Sequence, residues 1–303
     1  MSQSILAKGK NGQFQLTITL PQTKVKEQWE KLIKKAAAEV EMPGFRKGKA
    51  PLEKAEEKLD KSKIYDQVLQ KLLSEAYLIA INEYQLKPVM DPQLEVLTVD
   101  LDKDWQVRAT AAEKPDVKLG AYKEGLKGLL NSTEIWTPES AKQNKEDLKN
   151  KSVEGQKSEL SPEEKRQHQV VSITNWLLQN VEVEPAEGLV QQQANNLLAR
   201  LLDQIQQLGI TLEQYIGSTG KKLEDLKAEY AQRAMQDLKL EFLMLEIANQ
   251  EKITVGDADI DKLISETDDE KTRTALQDSG QRQHLKAILT RQKLIEHLIK
   301  ISS

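Results

Sequence analysis

The sequence predicts an α+β domain of antiparallel strands and helices at the N-terminus, followed by an all-α domain. Three observations carry that prediction. Near the start, Phe14, Leu16, Ile18 and Leu20 alternate with polar residues just after Lys10-Asn11-Gly12. Asn-Gly accepts positive φ and suits a hairpin, and a period of two puts the four apolar side chains on one face. From about Glu163 to the end, apolar residues recur at helical spacing. Finally, hydrophobic residues are 38%, charged residues 30% and aromatics 4% of the chain. Long helices rich in Leu, Ala, Lys, Glu and Gln fit those proportions better than a compact β domain.

Taken in order, residues 4–8 and 13–20 read as paired strands. Pro21 then opens a helix to about Val40, because proline suits the first helical turn. Val25, Trp29, Leu32, Ile33, Ala36 and Val40 share its apolar face, and Lys24, Lys26, Lys31, Lys34 and Lys35 lie elsewhere on it. A break follows at Met42–Pro51, then a short helix, then a longer one over about Lys63–Tyr84. In the latter Ile64, Val68, Leu72, Ala76, Ile79 and Ala80 keep the helical period. Residues 94–100 and 104–112 read as a second strand pair around Asp102-Lys103-Asp104. The order ββ-α-α-α-ββ closes an α+β domain over residues 1–114.

Residues 115–162 are expected to be a linker region. Lys114–Leu130 is linker-like, and 137–166 is highly charged with few large apolar groups, which suits either a solvated helix or a mobile link. Residues 163–303 are expected to form the helical domain. Val170, Ile173, Trp176 and Leu177 make one stripe there. Leu189, Leu197, Leu198, Leu201, Leu202, Ile205 and Leu208 make another, stopped by Gly209. A long helix covers Leu223–Glu251, and two more cover 257–266 and 281–301. Glu182–Pro185 and Lys252–Val255 are the turns between helices.

Charge and composition exclude several functions. A net charge of −4 argues against a general nucleic-acid coat. Its distribution is uneven, however. Residues 1–65 carry fourteen Lys and Arg against eight Asp and Glu, whereas residues 115–303 are net acidic. A basic front on an acidic protein suits one localised anionic partner. There is no cysteine, so disulfide and thiol chemistry are excluded. The first residues lack a signal-peptide core, and no run reaches the ~20 apolar residues of a membrane span. The expected location is the cytoplasm.

The segment Gly44-Phe45-Arg46-Lys47-Gly48-Lys49-Ala50-Pro51 is the most informative stretch of the chain. Gly44 and Gly48 permit backbone conformations closed to other residues, and Pro43 and Pro51 restrain the ends. Arg46, Lys47 and Lys49 supply three cations with no acid between them. Arg suits bidentate contact with carboxylate or phosphate, and Lys acts as a point charge. Phe45 beside them is either an anchor for a partner or an ordinary loop residue folded back onto the core.

This segment resembles the ribosome-binding signature of the trigger factors, Gly-Phe-Arg-x-Gly-x-x-Pro, with every fixed position filled and the same place between two helices. Val181–Pro185 with Leu189-Val190, and Leu243–Ala248 leading to Lys252–Val255, resemble helix junctions of that family's C-terminal domain. The resemblance covers residues 1–130 and 160–303. It implies docking of Gly44, Phe45, Arg46, Lys47, Gly48, Lys49 and Pro51 on protein and RNA at the ribosomal tunnel exit. It also implies an open helical body with two arms that shelters nascent or unfolded polypeptides, and a homodimer off the ribosome. Family members usually carry a prolyl-isomerase domain of the FK506-binding type between these halves, of roughly 90 residues. Here only Asn131–Pro162 is available, with Trp136 its one aromatic residue and no strand pattern. The isomerase activity is therefore not expected.

The expected function is ATP-independent holding of nascent chains. Two alternatives stand beside it: a prolyl isomerase with an unrecognised site, and an assembly chaperone that has left the ribosome. An arm that cannot bury all its apolar surface on itself would leave long side chains facing clients, of the type of Met244 or Tyr215. No cofactor, metal or catalytic residue is expected. His168, His284 and His297 are far apart in sequence, and Asp257, Asp259, Asp268 and Asp269 read as caps or solvated loops. Gly217–Lys222 lacks the spacing of a phosphate loop and reads as a glycine turn.

Overall fold

The structure, a computed structural model, describes residues 3–39, 59–130, 161–265, 273, 276 and 278–302. By contacts the chain divides into two compact units, each of two segments: residues 1–115 with 185–231, and 116–184 with 232–303.

The first unit is built on a four-stranded antiparallel sheet of order β1-β2-β4-β3. Its strands are β1 (Gln3–Lys8), β2 (Gln13–Leu20), β3 (Gln93–Thr98) and β4 (Trp105–Ala112). Asn11 and Gly12 take positive φ in the first hairpin, as the Asn-Gly pair predicts. Phe14, Leu16, Ile18 and Leu20 face Ala111, Ala109, Val107 and Trp105 across the β2–β4 ladder, and all eight are buried. Period-two alternation on both central strands thus makes one continuous apolar face.

Helices α1 (Gln22–Glu39) and α2 (Lys61–Glu83) cover that face. Asp104, from the β3–β4 turn, accepts a hydrogen bond from the Gln22 backbone N–H at 2.8 Å and satisfies a free donor at the start of α1. Val25, Trp29 and Ile33 of α1 enter the core as the period requires. In α2 the expected stripe needs correction. Ile64, Val68, Ala76 and Ala80 are buried and Leu72 packs half-buried against the core, joined by the buried Leu73, but Ile79 is 57% exposed. Leu73 lies five residues beyond Val68, about 140° round the helix, and so widens the buried face on that side. Ile79 stands about 100° away from Ala80 and faces outward.

The remainder of this unit is α5 (Glu187–Gln207), α6 (Leu212–Thr219) and the first residues of α7 (Leu223–Gln250). The N-terminal part of α5 buries Leu189, Val190 and Ala194, and α5 packs on β4. Further along, Leu201 and Ile205 join Leu226 in a small cluster backed by Leu198, Leu212, Tyr215 and Tyr230. Leu202 and Leu208, expected in the same stripe, are exposed. So small a cluster takes one side chain per turn. Gly209 (φ 72°) stops α5 as expected. Helix α6 itself was not foreseen. Gly217, Ser218 and Thr219 form its last turn, and Gly220 (φ 66°) closes it in the left-handed conformation.

In the second unit, the stretch after Pro115 is more structured than a plain linker. Lys118 bridges Glu182, and α3 (Tyr122–Leu126) buries Tyr122 and Leu126. Helix α4 (Pro162–Asn180) begins with a capping box, Ser161 with Glu164, and has Pro162 in its first turn. Residues 162–166 are therefore helix, of the two readings open for that stretch. Helices α8 (Asp257–Ser265) and α9 (Ser279–Ser302) complete the unit. Helix α9 packs on α3, α4 and α8. The Cα of Gly125 lies under Trp176 so closely that a Cβ there would stand 2.1 Å from the indole ring.

Candidate functional site

The residues singled out in the sequence, Gly44, Phe45, Arg46, Lys47, Gly48, Lys49 and Pro51, lie outside the described residues, as does the short helix expected after Pro51. The frame that carries them is described. Helices α1 and α2 run antiparallel, since Trp29 meets Tyr65 while Leu20 and Lys24 border Leu72, Ala76 and Ile79. The segment that contains the motif therefore joins neighbouring helix ends, from Glu39 to Asp60.

The α2 end is fixed. Asp60 caps α2 by accepting a hydrogen bond from the Ser62 N–H at 3.1 Å, and Leu59 packs against the core. Trp29 and Tyr65 approach with ring centroids 4.5 Å apart, and Tyr65 stacks on Trp105 at 5.6 Å. Trp105 Nε1–H donates to the Asp100 carbonyl at 2.9 Å, tying the stack to the β3–β4 turn. Aromatic contacts of this kind strengthen packing beyond area alone. A scarce residue type is thus concentrated where α1 and α2 meet the sheet.

The same ends carry exposed cations. Lys31 and Lys34 pair with Glu27 and Glu30 one turn earlier on α1, and Lys63 pairs with Asp60. Such exposed pairs contribute little to stability and exchange readily with another anion.

A second cluster lies within the other unit. Glu251, just beyond α7, accepts hydrogen bonds from Tyr122 Oη (2.7 Å) and Lys123 Nζ (2.8 Å), and meets His297 Nε2 at 3.2 Å. The Lys123 hydrogen bond, supported by those of Tyr122 and His297, holds its carboxyl below the usual Glu value. Burial, then the carboxylate, push the Tyr122 phenol up, so it stays protonated. The cluster joins α3, α7 and α9 as a clasp. Among the described residues, no three His, Asp or Glu side chains gather in metal-binding geometry. No described helix is long and apolar enough to cross a membrane.

Client-facing candidates emerge from exposure rather than from the sequence period. Leu202, Leu208, Ile210 and Leu223 stand out around α5, α6 and the start of α7. Met244 is buried and Tyr215 half-buried in the small cluster, so neither is the open side chain its type suggested. The unpartnered neighbours of a short helical pattern were the available signal. Leu208 and Ile210 flank the Gly209 stop, where no helix face remains to bury them.

An α+β sheet domain followed by a helical region defines the class of protein to which the chain belongs. The chain belongs to the bacterial trigger factor family. The family's sequence model, Bacterial trigger factor protein (TF), matches residues 1–160, and that for its C-terminus matches residues 140–300, with no insertion between them. The trigger factor of Levilactobacillus brevis is 36% identical over 126 residues, 42% of this chain and 29% of that protein. That of Staphylococcus aureus (strain JH9) is 38% identical over 120 residues, 40% of this chain and 28% of that protein. The chain thus matches less than a third of the length of these relatives. A solved structure described as "Promiscuous Substrate Recognition in Folding and Assembly Activities of the Trigger Factor Chaperone" has the same fold, with a TM-score of 0.62, 14% identity and 99% of this chain and 100% of that chain covered.

Proposed function

We propose that this protein is an ATP-independent chaperone of the cytoplasm. It docks at the ribosomal tunnel exit through Gly44–Pro51 and shields nascent polypeptides with its helical region. The observation that carries this reading is the intact motif, in a member of this family, between two helices braced by the Trp29–Tyr65–Trp105 stack. In this reading residues 1–114 supply docking and 163–303 receive clients, with 115–162 between them in sequence. Phe45 supplies an apolar anchor to ribosomal protein, while Arg46, Lys47 and Lys49 meet RNA phosphate. Leu202, Leu208, Ile210 and Leu223 give apolar contact without sequence preference. Contacts of that sort are weak and reversible, so release needs no nucleotide. Off the ribosome the same surfaces support a homodimer.

The test is co-sedimentation with ribosomes, comparing wild type with a Phe45→Ala, Arg46→Ala, Lys47→Ala variant at moderate salt. Loss of binding in the variant supports docking through the loop. Equal sedimentation of the two proteins rejects it.

A further inference from the structure

Beyond docking and arm contacts, we propose that β3 is a strand-addition site. It takes up an extended polypeptide segment with alternate apolar residues and basic flanks. That the occupant is unfolded chain rests on the chaperone reading; the location rests on the sheet. In the order β1-β2-β4-β3, strand β3 pairs with β4 alone, and among the described residues no strand pairs with its outer edge. Its face continues the core. Leu94 stands opposite Ala109, and Val96 opposite Val107. Both partners are fully buried, yet Leu94 is 53% and Val96 50% exposed. Apolar cover thus stops one strand short of the edge.

Edge strands of this kind are ordinarily blunted by lysine, proline, an inward charge or a β-bulge. From Gln93 to Val96 there is none of these, and Glu95, on the opposite face, is held by Arg108 at 2.9 Å. The register shift at Val96/Thr98 leaves Gln93–Val96 as the regular part of the ladder. An incoming strand would gain backbone hydrogen bonds there and set alternate side chains beside Leu94 and Val96.

Charge decides what kind of strand fits. Residues 91–104 contain Asp91, Glu95, Asp100, Asp102 and Asp104 against one base, Lys103; Lys26 and Arg108 pair with Asp102 and Glu95 from neighbouring elements, which leaves two more acids than bases around the strand. Acids at both ends of the strand disfavour a second copy. Antiparallel self-pairing centred on Glu95 and Val96 brings Asp91 of each copy towards Asp100 of the other. The same acids favour an occupant with cationic flanks.

The test measures fluorescence anisotropy of a labelled peptide of alternating Val and Thr between Lys pairs, titrated with the full-length protein. A second peptide is N-methylated at alternate residues to remove the donors of one edge. The protein variant is Leu94→Thr with Val96→Thr, which keeps strand propensity. The parent peptide is expected to bind, with affinity about tenfold weaker after N-methylation and again in the variant. Amide exchange of β2 and β4 confirms that the variant retains the sheet.

No binding of the parent peptide, equal binding of the N-methylated peptide, or equal binding by the variant each overturns the inference. So does a concentration-dependent dimer in sedimentation that the variant abolishes and the peptide does not disrupt, since the edge is then closed by a second copy. Suppression of aggregation of an unfolded client, measured alongside, separates the two readings. Holding activity with a failed peptide result removes the strand site and leaves the chaperone. Peptide binding at the edge without holding activity removes the chaperone.

Discussion

Replacing Glu251 by Ala should loosen α3 from the second unit. The side chain is 11% exposed, and its three partners come from two other parts of the chain. Lys123 is half-exposed and His297 about a third exposed, so both recover water when the carboxylate is removed. Tyr122 is buried and recovers much less, so its hydroxyl loses a charge-assisted bond and is left unpartnered. That loss costs about 2 kcal/mol, with the two exposed partners adding little. Native-state hydrogen exchange reads the effect at the Lys127, Leu129 and Leu130 amides, which bond to Lys123, Leu126 and Ser302. Their protection should fall by about 30-fold. A change of less than about twofold at all three would show that Glu251 decorates the junction rather than holding it.

Three further outcomes follow from the same geometry. Because hydrogen bonding depresses the Glu251 carboxyl, the unfolded chain binds its proton first as pH falls. The stability Glu251 confers is complete above the unfolded Glu value of about 4.3 and is lost as pH drops through the lower folded value. In urea unfolding followed by circular dichroism, the advantage of wild type over Glu251→Gln should therefore shrink between pH 7 and pH 3. Gly125→Ala would drive a methyl into the Trp176 ring, and overpacking of this kind costs about 1–3 kcal/mol. A lowered thermal midpoint with altered Trp fluorescence checks it. Ser161→Ala removes the capping box of α4 and should cost about 1 kcal/mol, measured as lost helicity on mild heating.

The elements with strong periodicity were legible. The sheet's central strands, α1, α2, α4 and α7 all fall within a residue or two of their expected bounds. Each buries a full face, so local pattern and tertiary contact agree. What the sequence hid depended on contacts between distant residues. Helix α3 has five residues and no period of its own to detect. It exists because Tyr122 and Lys123 meet Glu251, far along the chain, and because Trp176 lies over Gly125. Helix α6 was masked by its glycines, which suggest a turn until Thr211 is seen to cap it with Gln214. The exposure of Leu94 and Val96 was equally hidden. Their alternation is that of a buried strand, and only the strand order places them on a half-exposed edge.

The proposed docking segment is carried between α1 and α2, so the placement of its two ends depends on how those helices are held. Trp29, Tyr65 and Trp105 come from a helix before the motif, a helix after it and the strand beneath both. Their stack removes the relative sliding of α1 and α2 that would otherwise blur the separation of the loop's two ends. Trp29→Ala should consequently do more than cost the stability expected for a large-to-small core change, about 3–5 kcal/mol. In protein that remains folded, ribosome affinity should fall although no motif residue has changed, and the salt dependence should stay that of wild type because the cations are intact. A weaker affinity with a reduced salt slope would instead mean that Arg46, Lys47 and Lys49 no longer reach their phosphates together.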